Sequence, residues 1–186
     1  LFMAEDLRVQ RTKKAIKLAF IKLVNEKGFA NVTVKEIAEE AIVNRQTFYN
    51  YYQDKYDLTE QLNDEYLAIF KKLINQRIKV VQSQGRKIPL ISDFYKSDDF
   101  AAILTEREAI TALLSIQYDQ NSFKNRLRAL FLKIIQEQLS LNFTNLDLSI
   151  IGNFYIDTIN AIVKSNAQPT EQDLAELRKF INLIIQ

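Results

Sequence analysis

Eight consecutive residues, Arg45-Gln46-Thr47-Phe48-Tyr49-Asn50-Tyr51-Tyr52, combine side chains that seldom cluster by chance. If they form a helix, Val43, Phe48 and Tyr52 lie one and two turns apart and turn to a core. Arg45, Gln46, Thr47, Tyr49 and Asn50 then point outward. Arg suits guanine O6 and N7, Gln or Asn suits adenine N6 and N7, and a Thr methyl suits the thymine methyl. Tyr hydroxyls, and Lys55 at a helix start, suit phosphate oxygens. Four of the eight Tyr in the chain fall within 49–56. Charge points the same way: residues 7–55 hold ten Lys or Arg against five Asp or Glu, whereas 56–186 hold fifteen against sixteen. A polyanion would be drawn to the first third of the chain.

Other chemistries are excluded by what is missing. Among 186 residues there is no His and no Cys, and only three Gly. Without imidazole or thiolate there is no common zinc site, no Ser-His-Asp or Cys-His nucleophile and no disulfide. No G-x-G occurs, so no Gly-rich phosphate loop can be built. No paired-carboxylate or Ser-x-x-Lys arrangement appears, so an enzyme is the most remote reading. No cofactor or metal is implied. No apolar run approaches the ~18 residues of a membrane span, and Glu5 and Asp6 stand where a signal peptide would be basic. These features lead us to expect a cytoplasmic protein with no membrane partner.

The elements that would position the octapeptide are helices. Ile16, Ala19, Phe20, Leu23 and Val24 form one apolar stripe on a first helix from Arg8 to Lys27, closed by a left-handed Gly28. Thr33-x-x-Glu36 reads as a capping box opening a second helix through Ala41. Asn44 caps a third from Arg45 to Tyr52, so helix, short turn and helix fall within Thr33–Tyr52. Asp54 caps a long helix over 55–84, roughly 45 Å at ~1.5 Å per residue, enough to join two domains. Beyond it the periodicity predicts a short helix at Leu90–Tyr95 and longer ones at Phe100–Ile116, Ser122–Leu141, Leu146–Ser165 and Thr170–Ile185. The fold class is all-α, with a helix-turn-helix domain over 1–54 and a second helical domain over 55–186, which the long helix links.

Thr33-Val-Lys-Glu-Ile-Ala-Glu-Glu-Ala, followed by Val43-Asn-Arg-Gln-Thr-Phe-Tyr-Asn-Tyr-Tyr-Gln-Asp-Lys55 and Leu58, resembles the DNA-binding domain of TetR-type transcriptional regulators. The resemblance covers about residues 8–62. It implies a homodimer that sets two recognition helices into successive major grooves of a pseudo-palindromic double-stranded DNA operator. Arg45, Gln46, Thr47 and Asn50 would then face bases, and Thr33, Lys35, Tyr49, Tyr51 and Lys55 the sugar-phosphate backbone. Three positions depart from the pattern. Ile42 stands where the family usually has Gly, and a β-branched residue disfavours positive φ, so a differently wound turn is expected. Asn44 replaces the common Ser cap, and Gln46 replaces a small residue.

For the remainder, the resemblance implies control by an effector, and a repressor is the first reading. Aromatic residues at helical spacing nominate a pocket of Tyr66, Phe70, Phe94, Tyr95, Phe100, Tyr118, Phe123 and Phe131. The last two helices are apolar on two faces, which nominates Ile150, Phe154, Asp157, Thr158, Ala161, Leu177, Phe180 and Ile184 for the dimer interface. The alternative within the family is a regulator or activator controlled by a protein partner rather than a small molecule. Arg45–Gln53 resembles regulators of dihydroxyacetone-kinase operons that work in that way.

Overall fold

The computed structural model describes residues 2–83, 98–138 and 144–165, together with 170, 172, 175, 176 and 179. All its regular structure is helical, and no strand occurs among the described residues. The expected helices Leu90–Tyr95 and Thr170–Ile185 fall wholly or mostly outside them.

Helix α1 (Phe2–Lys27) starts six residues earlier than its periodicity predicted. Ile16, Ala19, Phe20, Leu23 and Val24 are buried, as the stripe requires. Gly28 closes the helix at φ 78 and ψ 149. The positive φ was expected, but the extended ψ takes Gly28 out of the left-handed helical region. A Cβ there would meet nothing within 4 Å, so backbone conformation alone reserves the position for Gly. A single 3-10 turn (Phe29–Asn31) follows.

Helix α2 (Val34–Glu40) opens on the predicted capping box: Thr33 Oγ1 accepts from the Glu36 amide, and Glu36 Oε2 accepts from the Thr33 amide. Its end corrects the sequence expectation. Ile42 takes φ 55, so the turn is wound left-handed in spite of the β-branched side chain. The reason lies in the hydrogen bonds. The Ile42 amide donates to Glu39 O at 3.1 Å and the Val43 amide to Ala38 O at 2.9 Å, the paired closure of a Schellman motif. Ile42 itself is 91% exposed, so its side chain gains nothing in return.

Helix α3 (Arg45–Tyr49) is capped by Asn44, whose Oδ1 accepts from the Gln46 amide at 2.9 Å. It stops three residues short of the predicted Tyr52, with turn hydrogen bonds from the Tyr51 and Tyr52 amides to Phe48 O at 3.0 Å continuing the path. Helix α4 (Lys55–Ser83) has 29 residues, close to the predicted length. Asp54 Oδ1 accepts from the Tyr56 and Asp57 amides, both at 2.8 Å, and so starts it.

The predicted helix Phe100–Ile116 is two helices, α5 (Asp98–Thr105) and α6 (Arg107–Ser115), broken at Glu106. No residue type there signals a break. Helices α7 (Phe123–Gln138) and α8 (Asn145–Lys164) follow. A second capping box, Thr144 with Asp147, opens α8. By length and composition alone α8 could cross a bilayer, yet Gly152, Ile156, Ile159, Ile162 and Val163 are buried within its own unit. A Cβ on Gly152 would lie 3.0 Å from Arg128 Cγ and 3.1 Å from Leu132 Cδ1, so Gly is what lets α8 approach α7 so closely.

The chain divides into two compact units, 1–66 with 108–123 and 67–107 with 124–186. The compact units therefore part company with the expected boundary at 54/55. The first takes the start of α4 and, from far along the chain, nearly all of α6 and the loop after it.

Candidate nucleic-acid interface

Phe48 and Tyr52 are both fully buried, with ring centroids 5.5 Å apart, and they fix the rotation of α3. Each buried ring of this size contributes about 1.5–3 kcal/mol. Burial pushes the Tyr52 phenol up to about 12, with the Glu65 and Asp57 carboxylates adding to the shift. With those rings inward, Arg45, Gln46, Tyr49 and Asn50 are exposed and Thr47 is half-buried. Among the described residues nothing bonds the Arg45 guanidinium or the Gln46 side-chain amide. The four residues expected to face bases thus share the solvent side of one short helix or its cap.

The expected backbone-facing residues divide. Tyr49 is exposed and packs edge-on against Phe48 at 5.7 Å. Lys35 is exposed, with its ammonium 3.8 Å from Glu39 one turn on. Thr33 is exposed, but its hydroxyl donates to Glu36 Oε2 at 2.7 Å within the capping box. Tyr51 is half-buried, and the Lys13 ammonium lies 5.5 Å above its ring.

Lys55 is engaged within the protein. Its ammonium donates to the Phe29, Ala30 and Val32 carbonyls at 2.9, 3.3 and 2.9 Å and sits 4.5 Å above the Phe29 ring. All three N–H donors are spent inside the protein, so none is left for a phosphate. Burial, and then the nearby Lys27 charge, hold its pKa below the ordinary lysine value.

Other contacts carry no linear signal. Lys27 pairs with Glu36, and Lys22 with Glu40 at 2.7 Å, so acids of α2 neutralise cations of α1. The Lys27 and Thr33 hydrogen bonds hold the Glu36 carboxyl down at about 2. The stretch after α6 is anchored to the same unit. Asn25 Nδ2 donates to Glu108 O at 2.9 Å, and the Tyr118 hydroxyl donates to Glu60 at 2.6 Å. Tyr118 also stacks on Phe29 at 5.4 Å and meets Tyr56 edge-on at 5.3 Å.

Residues 19–62 match the family profile of bacterial regulatory proteins, tetR family. That segment is of the TetR-family DNA-binding type. The match spans the helix-turn-helix of the α2–α3 segment described above. An uncharacterized HTH-type transcriptional regulator of Haemophilus influenzae is 29% identical over 87 residues, 46% of this chain and 42% of its own length. Another from Bacillus subtilis is 34% identical over 58 residues, 31% of this chain and 15% of its own length. The alignments thus span less than half the length of either relative. A crystal structure of a TetR transcriptional regulator from Streptococcus agalactiae matches 100% of this chain and 99% of its own, with TM-score 0.62 and 22% identity, a likeness of fold.

The residues nominated for an effector pocket fall in both units. Tyr66, Tyr118 and Phe123 belong to the first unit, Phe70 and Phe131 to the second. Tyr66, Phe70 and Phe123 are buried, and Phe131 stacks on Tyr155 at 3.7 Å. Phe94, Tyr95 and the Phe100 side chain lie outside the described residues. The second unit instead holds a groove of about 380 Å3 between α4 and α7, lined by Leu67, Ala68, Lys71, Arg126, Ala129 and Leu130, none of them aromatic. Of the nominated interface residues, Ile150, Phe154, Asp157 and Ala161 are exposed along α8 and Thr158 is half-buried. Leu177, Phe180 and Ile184 lie outside the described residues.

Proposed function

We propose that this protein is a transcriptional regulator, acting as a repressor, that binds a pseudo-palindromic operator as a homodimer and is released by an effector. The observation that carries the reading is the pair of buried rings, Phe48 and Tyr52, that leaves the side chains of Arg45, Gln46 and Asn50 outward, with no hydrogen bond to them among the described residues, in a TetR-type helix-turn-helix. Side chains kept free of internal partners lose little when they exchange water for base edges. Two such heads on one dimer would read half-sites roughly 34–36 Å apart, or a multiple of that.

Control would reach the reading head by two covalent routes. Helix α4 contributes residues to both units, and residues 108–123 leave the second unit's sequence to pack on Asn25, Phe29, Tyr56 and Glu60. An effector that favours the non-binding arrangement lowers operator affinity by linkage. A protein effector is the second reading. It is favoured by the apolar groove at Leu67, Ala68, Ala129 and Leu130, whose two alanines are exposed, and by the exposed Ile150 and Phe154.

A gel-shift on the DNA upstream of the coding region, at 50 and 200 mM salt, tests the DNA-binding reading. A specific complex that weakens by ~10³-fold or more across that range is expected for a protein making six or more phosphate contacts. Absence of any salt-sensitive complex at the lower concentration would overturn it.

A further inference from the structure

The cations of α1 are not equivalent. Lys17 pairs with Glu65, Lys22 with Glu40 and Lys27 with Glu36. Lys55, across the unit, is enclosed by three carbonyls. Four of the ten cations counted over residues 7–55 are thus held by partners within the first unit. Lys13 lies one turn before Lys17 and has no acid or carbonyl bonded to its ammonium among the described residues. It lies instead 5.5 Å from the centre of the Tyr51 ring. A cation–π contact at a half-exposed site is worth about 0.5–1 kcal/mol and leaves the ammonium charge unneutralised.

Tyr51 follows Asn50, the C-cap of α3, and its amide bonds back to Phe48 O. The ring that holds Lys13 is therefore part of the segment whose outer face carries Tyr49 and Asn50. From this geometry we infer that Lys13 of α1 is a DNA-phosphate contact, held in place by Tyr51. The inference rests on the DNA-binding reading and extends it to a helix outside the helix-turn-helix. Tyr51 supplies a rigid platform, and Lys13 supplies the charge and the N–H donors that a non-bridging phosphate oxygen takes up. Lys17, on the same face one turn along, cannot do this because Glu65 already holds it.

The test is the salt dependence of binding to a random duplex of about 30 base pairs, which needs no knowledge of the operator. One lost phosphate contact makes the slope of log K against log salt shallower by ~0.9. From 50 to 200 mM salt, Lys13→Gln should therefore lose about 3.5-fold less affinity than the wild type for each contact removed. Lys17→Gln makes the same change in net charge and should keep the wild-type slope, and Lys13→Arg should restore it. Tyr51→Ala, with its fold checked by circular dichroism, should flatten the slope as Lys13→Gln does, whereas Tyr51→Phe, which keeps the ring, should not. Equal flattening by Lys13→Gln and Lys17→Gln, or flattening by neither, would overturn the assignment while leaving DNA binding intact. A wild-type protein that binds no duplex at low salt would overturn the DNA-binding reading and this one with it.

Discussion

On α3 the positions turned to solvent are Arg45, Gln46 and Tyr49, with Asn50 at the cap; on α8 they include Leu146, Ile150 and Phe154, 69%, 59% and 44% exposed. Both helices bury their opposite faces, α3 through Phe48 and α8 through Ile156, Ile159, Ile162 and Val163. The outer face of α3 is made of hydrogen-bonding side chains that water satisfies until a polar partner replaces it. The outer face of α8 is an apolar stripe at i, i+4 and i+8, which water penalises and a second apolar surface would relieve. The contrast fits our proposal that the two helices serve partners of opposite chemistry, a charged, grooved duplex for α3 and a second copy of the chain for α8.

The largest effect should come from removing the ring beneath the polar face. Phe48→Ala opens a cavity where exposure is zero, and urea denaturation should show a loss of about 3–5 kcal/mol. A loss below ~1 kcal/mol would mean that the orientation of α3 does not depend on that ring. Next is the apolar face. Ile150→Asp places a charge in the stripe, and sedimentation should show the dimer dissociating, at a cost of about 2 kcal/mol or more, some 30-fold in affinity. The fold of the single chain should persist because the side chain is already exposed. A variant that stays dimeric would move the interface off α8. The smallest effect concerns the turn before α3. Ile42→Gly relieves a β-branched residue at φ 55 and loses no packing, so it should stabilise the protein by about 1 kcal/mol and raise Tm by about 2–4 °C. A fall in Tm would show that the left-handed turn carries no strain.

Local chemistry was legible in the sequence. Thr33 with Glu36, and Asn44 before Arg45, act within three residues of themselves, so their caps could be placed from type and spacing. The burial of Phe48 and Tyr52 followed from helical period alone. Ile42 misled because steric preference was weighed without the two closing hydrogen bonds that hold the turn. The partners of Lys55 were hidden for a different reason: they are carbonyls 23 to 26 residues earlier, which no local pattern reveals. The same limit applies to Tyr118, nominated for an effector pocket, whose packing beside Phe29 and Tyr56 no spacing could show. Periodicity tells which side of a helix is buried; it does not tell which unit does the burying.

Arg45 is the sharpest probe of whether the outward face of α3 reads bases. Binding of wild type and Arg45→Ala should be measured against a bound operator and a set of single base-pair variants of it, at fixed salt. Arg45→Ala should lose about 1–3 kcal/mol on the parent sequence, and discrimination should disappear at one base-pair position in each half-site. A uniform weakening across every variant, with discrimination intact at all positions, would contradict base reading and place Arg45 on the phosphate backbone.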